Sequence, residues 1–340
     1  MKLHHLRDAV TIAERGGLRA AARHLQLAQP ALTRSLGELE RELGTPLFER
    51  HARGMVLTPA GIAFVQRASA ILHEVRRAGE EVEQLQGGMR GKVAMALSIA
   101  PHIAMLPKAL PPFRARYPAV QVRVIEGIYP TVEAGLRDGS IDFYIGPEPG
   151  RPVPSELVQE VLFTNTRTVL GRRGHPLSGA ASLAELVDAE WATTSITLQA
   201  DEEMGELFRR HGLGAPRLAL QSQSALTLMV SLACTDLLAM VPVQWMDFAP
   251  AAGALRAIEV REVLPAADVV LIRRAALPLT PAATYLVDML RRGVPAAAPH
   301  PAAVPDASAA PGVRGRRAAP HGAEASRPGR AACLTLRRRD

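Results

Sequence analysis

Between Gln29 and Arg34 the chain carries side chains able to read base edges, on a segment whose other face is apolar. Gln29, Pro30, Thr33 and Arg34 project away from Leu32, Leu36, Leu39 and Leu43, which are spaced four, three and four residues as on a helix buried along one side. Glutamine can pair bidentately with adenine, arginine with guanine or a phosphate, and threonine can touch a thymine methyl. Pro30 in the first helical turn presets the backbone without removing a needed donor. Arg50, His51 and Arg53 follow in a turn-rich stretch and add cations placed for phosphate or minor-groove contact.

The elements that must hold these residues are short. Leu3, Leu6, Val10 and Ala13 share one face of a first helix, which Gly16-Gly17 stops. Ala20, Ala21, Ala22 and Leu25 make a compact second helix, whose small side chains let a neighbour approach closely. The third runs from Gln29 to Leu43 and ends at Gly44. A tight turn between an alanine-rich helix and an amphipathic one is the build of a helix-turn-helix, whose second member enters the major groove. Leu47–Arg50, the turn His51–Gly54 and Met55–Leu57 have the size of a small β-wing.

Thr58-Pro59 reads as an N-cap followed by proline at the first helical position. Ile62, Val65, Ser69, Leu72, Val75, Gly79, Val82 and Leu85 then alternate three and four apart, a seam suited to pairing with another helix, until Gly87-Gly88. A helix of roughly 28 residues is about 42 Å long. So long a helix outside a core needs a partner, and self-association is the simplest source of one.

From Gly91 the pattern becomes α/β. Strand-like runs are 92–97, 121–125, 142–145, 161–170, 218–221, 238–241, 255–259 and 269–272. Helical patterns lie between them near 103–116, 131–138, 182–188, 201–211, 224–234, 243–249 and 281–292. The alternation predicts parallel sheets flanked by helices. Beyond Gly293 the chain is Ala, Pro, Gly and Arg and reads as a disordered basic tail, because it has too little apolar surface to offset its ordering entropy.

Composition excludes several function classes. Over 340 residues, 48% are hydrophobic and 4% aromatic, so aliphatic side chains must fill more than one core. The formal charge of +7 does not by itself argue for DNA: eight arginines stand beyond Pro301 against Asp306, Glu324 and Asp340. Such a tail could add nonspecific phosphate affinity or be a solvated extension. Cys234 and Cys333 offer neither a disulfide framework nor zinc-ligand spacing, and no basic start followed by an apolar run reads as a signal peptide. No stretch is long and apolar enough for a membrane span. The reading is a cytoplasmic protein with no metal and no cofactor. His4-His5 and His24 lack metal-ligand spacing; Ser182-Leu-Ala-Glu185 is a capping box. His102 has no nucleophile or carboxylate pair beside it, which argues against an enzyme. Cys234 on an apolar helix reads as a core residue.

The stretch LRAAARHLQLAQPALTRSLGELERELGTPLFERHARGMVLTPAG resembles the signature of LysR-type transcriptional regulators: an AA pair, QPA, LE–x–x–LG–x–x–LF–x–R and LT–x–AG. Carried onto matching positions, that resemblance implies DNA contacts at Gln29, Pro30, Thr33, Arg34 and Arg53. Gly17 and Ala28 stand where the family most often has Ser, so Ala28 brings no side-chain acceptor. GxV-x-M-A-L at 91–97, PxxLPxxLPPFRxRYP up to Pro118, IDFYIGP at 141–147 and GRRGHPL at 171–177 resemble the family's effector domain more loosely.

The resemblance implies an α/β chain overall. An all-α winged helix-turn-helix (1–58) and a linker and dimerisation helix (59–88) precede a two-lobed domain similar to type II periplasmic solute-binding proteins (89–294). Lobe one would span about 91–162 and 268–293, lobe two about 163–267, and the tail 295–340. The cleft between the lobes would be lined by Ser98, Ile99, Pro101, His102, Ile128, Tyr129 and Thr131 facing Thr194, Ser195 and Ser222, with the three hydroxyl groups Ser98, Ser195 and Ser224 also placed to cap helices. Those polar groups suit a small carboxylate or sulfonate, and Ile99, Ile128 and Tyr129 an apolar, aromatic body. The implied partners are double-stranded promoter DNA and further copies of the chain, as a tetramer built from two dimers. A different reading is a solute-binding module or enzyme on the same lobes, with the N-terminal domain as a tether.

Overall fold

The computed structural model describes residues 1–51, 54–194, 200–248 and 253–295. Arg53, Ser195 and the tail from residue 296 lie outside them. The chain opens with α1 (Leu3–Arg15), α2 (Leu18–Leu25) and α3 (Gln29–Leu43). Gly16 and Gly44 end α1 and α3 at φ of 72° and 70°, the left-handed conformation that glycine adopts without a Cβ clash. Ala21 and Ala22 are buried, and Ile12, Leu18, Leu32, Leu36 and Leu39 close around them in one small core. Leu43, read as the last member of the buried stripe, is 38% exposed, one residue before the Gly44 cap.

The wing is β1 (Phe48–His51) paired antiparallel with β2 (Gly54–Leu57), Phe48 opposite Leu57. Glu40 fastens it to α3: its Oε1 accepts from the backbone N–H of Leu47 at 2.7 Å and of Phe48 at 3.2 Å. Thr58 caps α4 (Pro59–Leu85), its hydroxyl oxygen accepting from Gly61 N at 2.9 Å while the hydroxyl donates to Pro46 O at 2.8 Å. The seam expected along α4 divides. Val65, Ala68 and Leu72 pack with Leu6 and Val10 of α1. Ile62, Val75, Val82 and Leu85 stay exposed.

Two five-stranded sheets follow. The first has the order β4-β3-β5-β12-β6, from β3 (Gly91–Leu97), β4 (Val120–Glu126), β5 (Phe143–Pro147), β6 (Leu157–Phe163) and β12 (Val269–Arg274). On one face Met95, Phe113, Phe143, Leu271, Leu286 and Leu290 form the core with α6 (Leu106–Arg116) and α10 (Pro281–Arg292). On the other, Tyr129 and Val132 of α7 (Tyr129–Asp138) meet Tyr144, Val270 and Ile272.

The second sheet has the order β11-β7-β10-β8-β9, from β7 (Arg167–Arg172), β8 (Glu190–Thr193), β9 (Arg217–Gln221), β10 (Leu238–Pro242) and β11 (Leu255–Ile258). Its faces are covered by Phe208 of α8 (Ala200–Arg210) against Trp191, and by Leu228 and Leu232 of α9 (Ala225–Cys234) with Trp245.

Both sheets are mixed rather than parallel. β3, β4 and β5 run together, but β12 is antiparallel to β5 and β6, because it enters after the chain has returned from the other sheet. The run 161–170 divides into β6 and β7 for the same reason. Residues 164–166 carry the chain across, and Thr166 bridges Pro265 on the way back. The helix expected near 103–116 breaks into α5 (Ile99–Ala104) and α6, and the stretches near 182–188 and 243–249 form only the 3-10 turns Leu183–Leu186 and Val243–Asp247. Among the described residues no helix is long and apolar enough to cross a membrane.

Candidate nucleic-acid interface and ligand cleft

Gln29, Pro30, Thr33 and Arg34 all stand exposed on the first turns of α3, opposite the buried leucines. Pro30 occupies the first turn, where α3 needs no N–H from it. Thr33 turns its hydroxyl to Gln29 O at 3.0 Å. Ala28 is the N-cap and makes no side-chain cap bond. The turn into α3 passes through Gln26, a non-glycine residue at φ 55°, held by the N–H of Leu27 on Ala22 O at 2.9 Å. Arg50 is exposed on the wing opposite Met55. Among the described residues neither Arg34 nor Arg50 has an ion-pair or hydrogen-bond partner, so both guanidinium groups are free to meet phosphate or base.

The cleft forms where the sheets' strand ends face each other. Ser98, Ile99, Ala100, Gly127, Ile128, Pro147 and Val269 line it from the first lobe; Asn165, Thr194, Gln223 and Pro242 line it from the crossover and second lobe. Ser98 is 7% exposed, and its carbonyl accepts from His102 N and from the His102 ring. Its hydroxyl caps nothing and has no protein partner among the described residues. A second, more open hollow continues past Ile99 and Glu126. His102, Ile103, Met229, Trp245, Asp247 and Phe248 form its walls.

The structure therefore brings Ser98, Ile99, Ile128 and Thr194 together, and sets His102 in the adjoining hollow. Tyr129 is not on the wall: it is 1% exposed in the lobe core, its ring edge-on to Tyr144 at 6.3 Å. The reason is its place in the first turn of α7, on the face that covers the sheet. Burial, with the Glu133 charge second, holds its phenol pKa up. Pro101 is buried within α5, Thr131 bonds back to Ile128 O, and Ser222 is tied into the turn before α9, so these three stand outside the lining. Ser224 does cap α9. Cys234 is exposed rather than core, because it stands at the last position of α9.

Several residues of the cleft are absent from the sequence reading, Glu126 and Asn165 among them. Glu126 lines both hollows. Asn165 is buried at the crossover, with its Oδ1 accepting from Gln244 Nε2 at 2.9 Å. Arg167 starts β7 opposite Pro242, but its side chain is exposed and stands outside the lining. Only the crossover, which periodicity does not reveal, puts Asn165 in the cleft.

A winged helix-turn-helix joined through a long helix to a two-lobed ligand-binding domain defines a one-chain, ligand-responsive DNA-binding protein. Residues 3–62 match the bacterial regulatory helix-turn-helix domain of the lysR family, and residues 86–295 match the LysR substrate binding domain. The chain belongs to the LysR family of transcriptional regulators, which are not enzymes. It is 30% identical over 239 residues to the regulator GbpR of Azospirillum brasilense, covering 69% of this chain and 70% of that one. To the regulator GalR of Pseudomonas putida it is 29% identical over 284 residues, covering 83% and 72%. In fold it is similar to the LysR family regulator CbnR, with a TM-score of 0.64 at 22% identity over 86% of this chain and 99% of that one. CbnR in complex with its target DNA gives a TM-score of 0.63 at 24% identity, over 86% and 100%.

Proposed function

We propose that the chain reads promoter DNA through Gln29, Pro30, Thr33, Arg34, Arg50 and Arg53, and changes its grip when a small molecule binds between the lobes. The observation that carries the reading is the unpartnered row on α3. Two exposed side chains with base-pairing chemistry, Gln29 and Arg34, stand in the first two turns of a helix pinned by buried leucines. A tetramer of two dimers is supported by the apolar side chains left uncovered on α4.

The effector we infer is a small molecule with one carboxylate or sulfonate and an apolar body. The Ser98 hydroxyl, Thr194, Asn165 and Gln223 offer it polar contacts. Glu126 opposes negative charge and so favours a singly charged acid over a dicarboxylate. With Tyr129 in the core, the support for an aromatic body moves to Trp245 and Phe248. Placement in the cytoplasm follows from this role.

Arg34→Ala separates this reading from that of a tethered solute-binding module. The variant should lose sequence-preferring binding to the DNA upstream of its own gene, yet keep the same ligand-induced thermal shift as the parent. Unchanged DNA binding would remove α3 as the reader.

A further inference from the structure

The wall between α4 and the first lobe holds charge where a helix packed for stability alone would hold apolar side chains. Arg77 is 4% exposed and Asp142 5%. Arg77 Nη2 lies 2.6 Å from Asp142 Oδ1 and donates to Gly139 O at 2.7 Å, while its Nη1 donates to Glu74 at 2.8 Å. Glu74 also holds Arg274 of β12 at 2.8 Å. The other Asp142 oxygen accepts from Ala94 N at 2.7 Å, which locks the carboxylate to β3. Gly139, at φ 77°, leaves room for the Arg274 guanidinium where a Cβ would stand.

Two more ties flank this group. The His73 ring meets Asp138 O at 2.8 Å; Gln84 donates to Arg90 O at 3.1 Å and accepts from Ala282 N at 2.9 Å. Among the described residues, every polar contact that α4 makes beyond the N-terminal domain goes to the first lobe. A buried ion pair adds little net stability, because desolvation offsets its attraction, but it tolerates one geometry only.

We propose that the Arg77–Asp142 clasp fastens α4 to the first lobe so that helix and lobe move as one body, and ligand closure displaces the second lobe against them. Asp142 immediately precedes β5, and Pro147 at the far end of that strand lines the cleft, roughly 17 Å away at about 3.3 Å per residue. One rigid strand thus joins the ligand's wall to the helix that leads to the DNA-binding domain. The Gly87-Gly88 turn that follows α4 need not carry the signal. The role in signalling rests on the regulator reading above; the mechanical coupling does not.

Amide hydrogen exchange on the free full-length protein tests the coupling. Residues 73–85 should be protected in the parent. Asp142→Asn should speed their exchange at least tenfold while leaving residues 3–45 unchanged, and Glu74→Gln, which weakens the hold on Arg77 and Arg274 but leaves Asp142 in place, should give a smaller increase confined to the same segment. Arg77→Lys, which keeps the charge but cannot hold Glu74, Asp142 and the Gly139 carbonyl with one nitrogen, should also speed exchange at 73–85, by less than Asp142→Asn. Fast exchange at 73–85 in the parent, or indifference to both Asp142→Asn and Glu74→Gln, overturns the proposal. The second arm is a nuclease footprint on the DNA upstream of the gene. A changed footprint length in either variant supports the coupling role. Lowered melting with an unchanged footprint reduces the clasp to a structural one and also overturns it. A parent that gives no footprint condemns the DNA-reading function alone, since exchange still decides the clasp.

Discussion

Ser35 Oγ donates to Asp8 Oδ2 across 2.6 Å, tying the reading helix to α1 at a carboxylate that is 2% exposed. Arg7 holds the other oxygen, Nη2 to Oδ1 at 2.9 Å, so the carboxylate is satisfied on both sides. Its position one residue after Arg34 means that the pose of the base-facing side chains depends on it. Ser35→Ala should lower stability by about 1.5–3 kcal/mol, the range for a hydrogen bond to a charged group. Thermal melting checks the first effect, and DNA affinity should fall with it although Ser35 itself touches no base.

Arg34 and Arg50 should fail differently. Arg34→Ala should cost about 1–3 kcal/mol of binding and relax preference at one base pair. Arg50→Ala should weaken all sequences alike and lower the salt slope by about one counterion. Titrations over a salt series with preferred and scrambled DNA distinguish the two. Equal loss of preference in both variants would move base reading onto the wing.

Gly61 is irreplaceable for a steric reason. A Cβ at this position would collide with the Leu47 carbonyl oxygen, which already accepts from Thr58 N at 3.0 Å. Gly61→Ala must push the start of α4 off the wing and should destabilise the N-terminal domain by more than Thr58→Ala, whose lost cap costs about 1 kcal/mol. Melting of the two variants side by side gives the order.

Tyr129 and Tyr144 should stay protonated in the folded protein above the pH at which a free phenol ionises, Tyr144 by the wider margin. Burial is the main cause for both, and pushes the Tyr144 phenol well above the usual range. Since the unfolded chain loses these protons near pH 10 and the folded one keeps them, stability is full below that pH and falls as pH rises past it. Tyrosinate absorbance should show, of the four tyrosines, Tyr144 titrating only as the protein unfolds and Tyr129 later than a free phenol.

The N-terminal domain was legible because its signals are local. The stripe Leu32, Leu36 and Leu39, Gly16, Gly44 and the Thr58-Pro59 start each act within one or two turns and stand where the sequence put them; only Leu43, at the helix end, does not stay buried. The cleft was less so. Ser98, Ile99 and Ile128 follow strand ends and could be found that way, but Tyr129 is one residue farther along and faces the core instead. β8 escaped notice because it is four residues long with only Trp191 and Ala192 buried, too short for periodicity to show. The Arg77–Asp142 pair joins residues 65 positions apart, and no local pattern predicts it.

The most direct test of the central claim is a mobility shift of the purified protein on the DNA upstream of its gene. It should be run at two salt concentrations, with a form lacking residues 296–340 beside the full chain. Sequence-preferring binding that persists without the tail is the predicted result, because α3 and the wing carry the contacts. Binding that ignores sequence, or that vanishes with the tail's arginines, would contradict it and make the basic extension the true DNA contact.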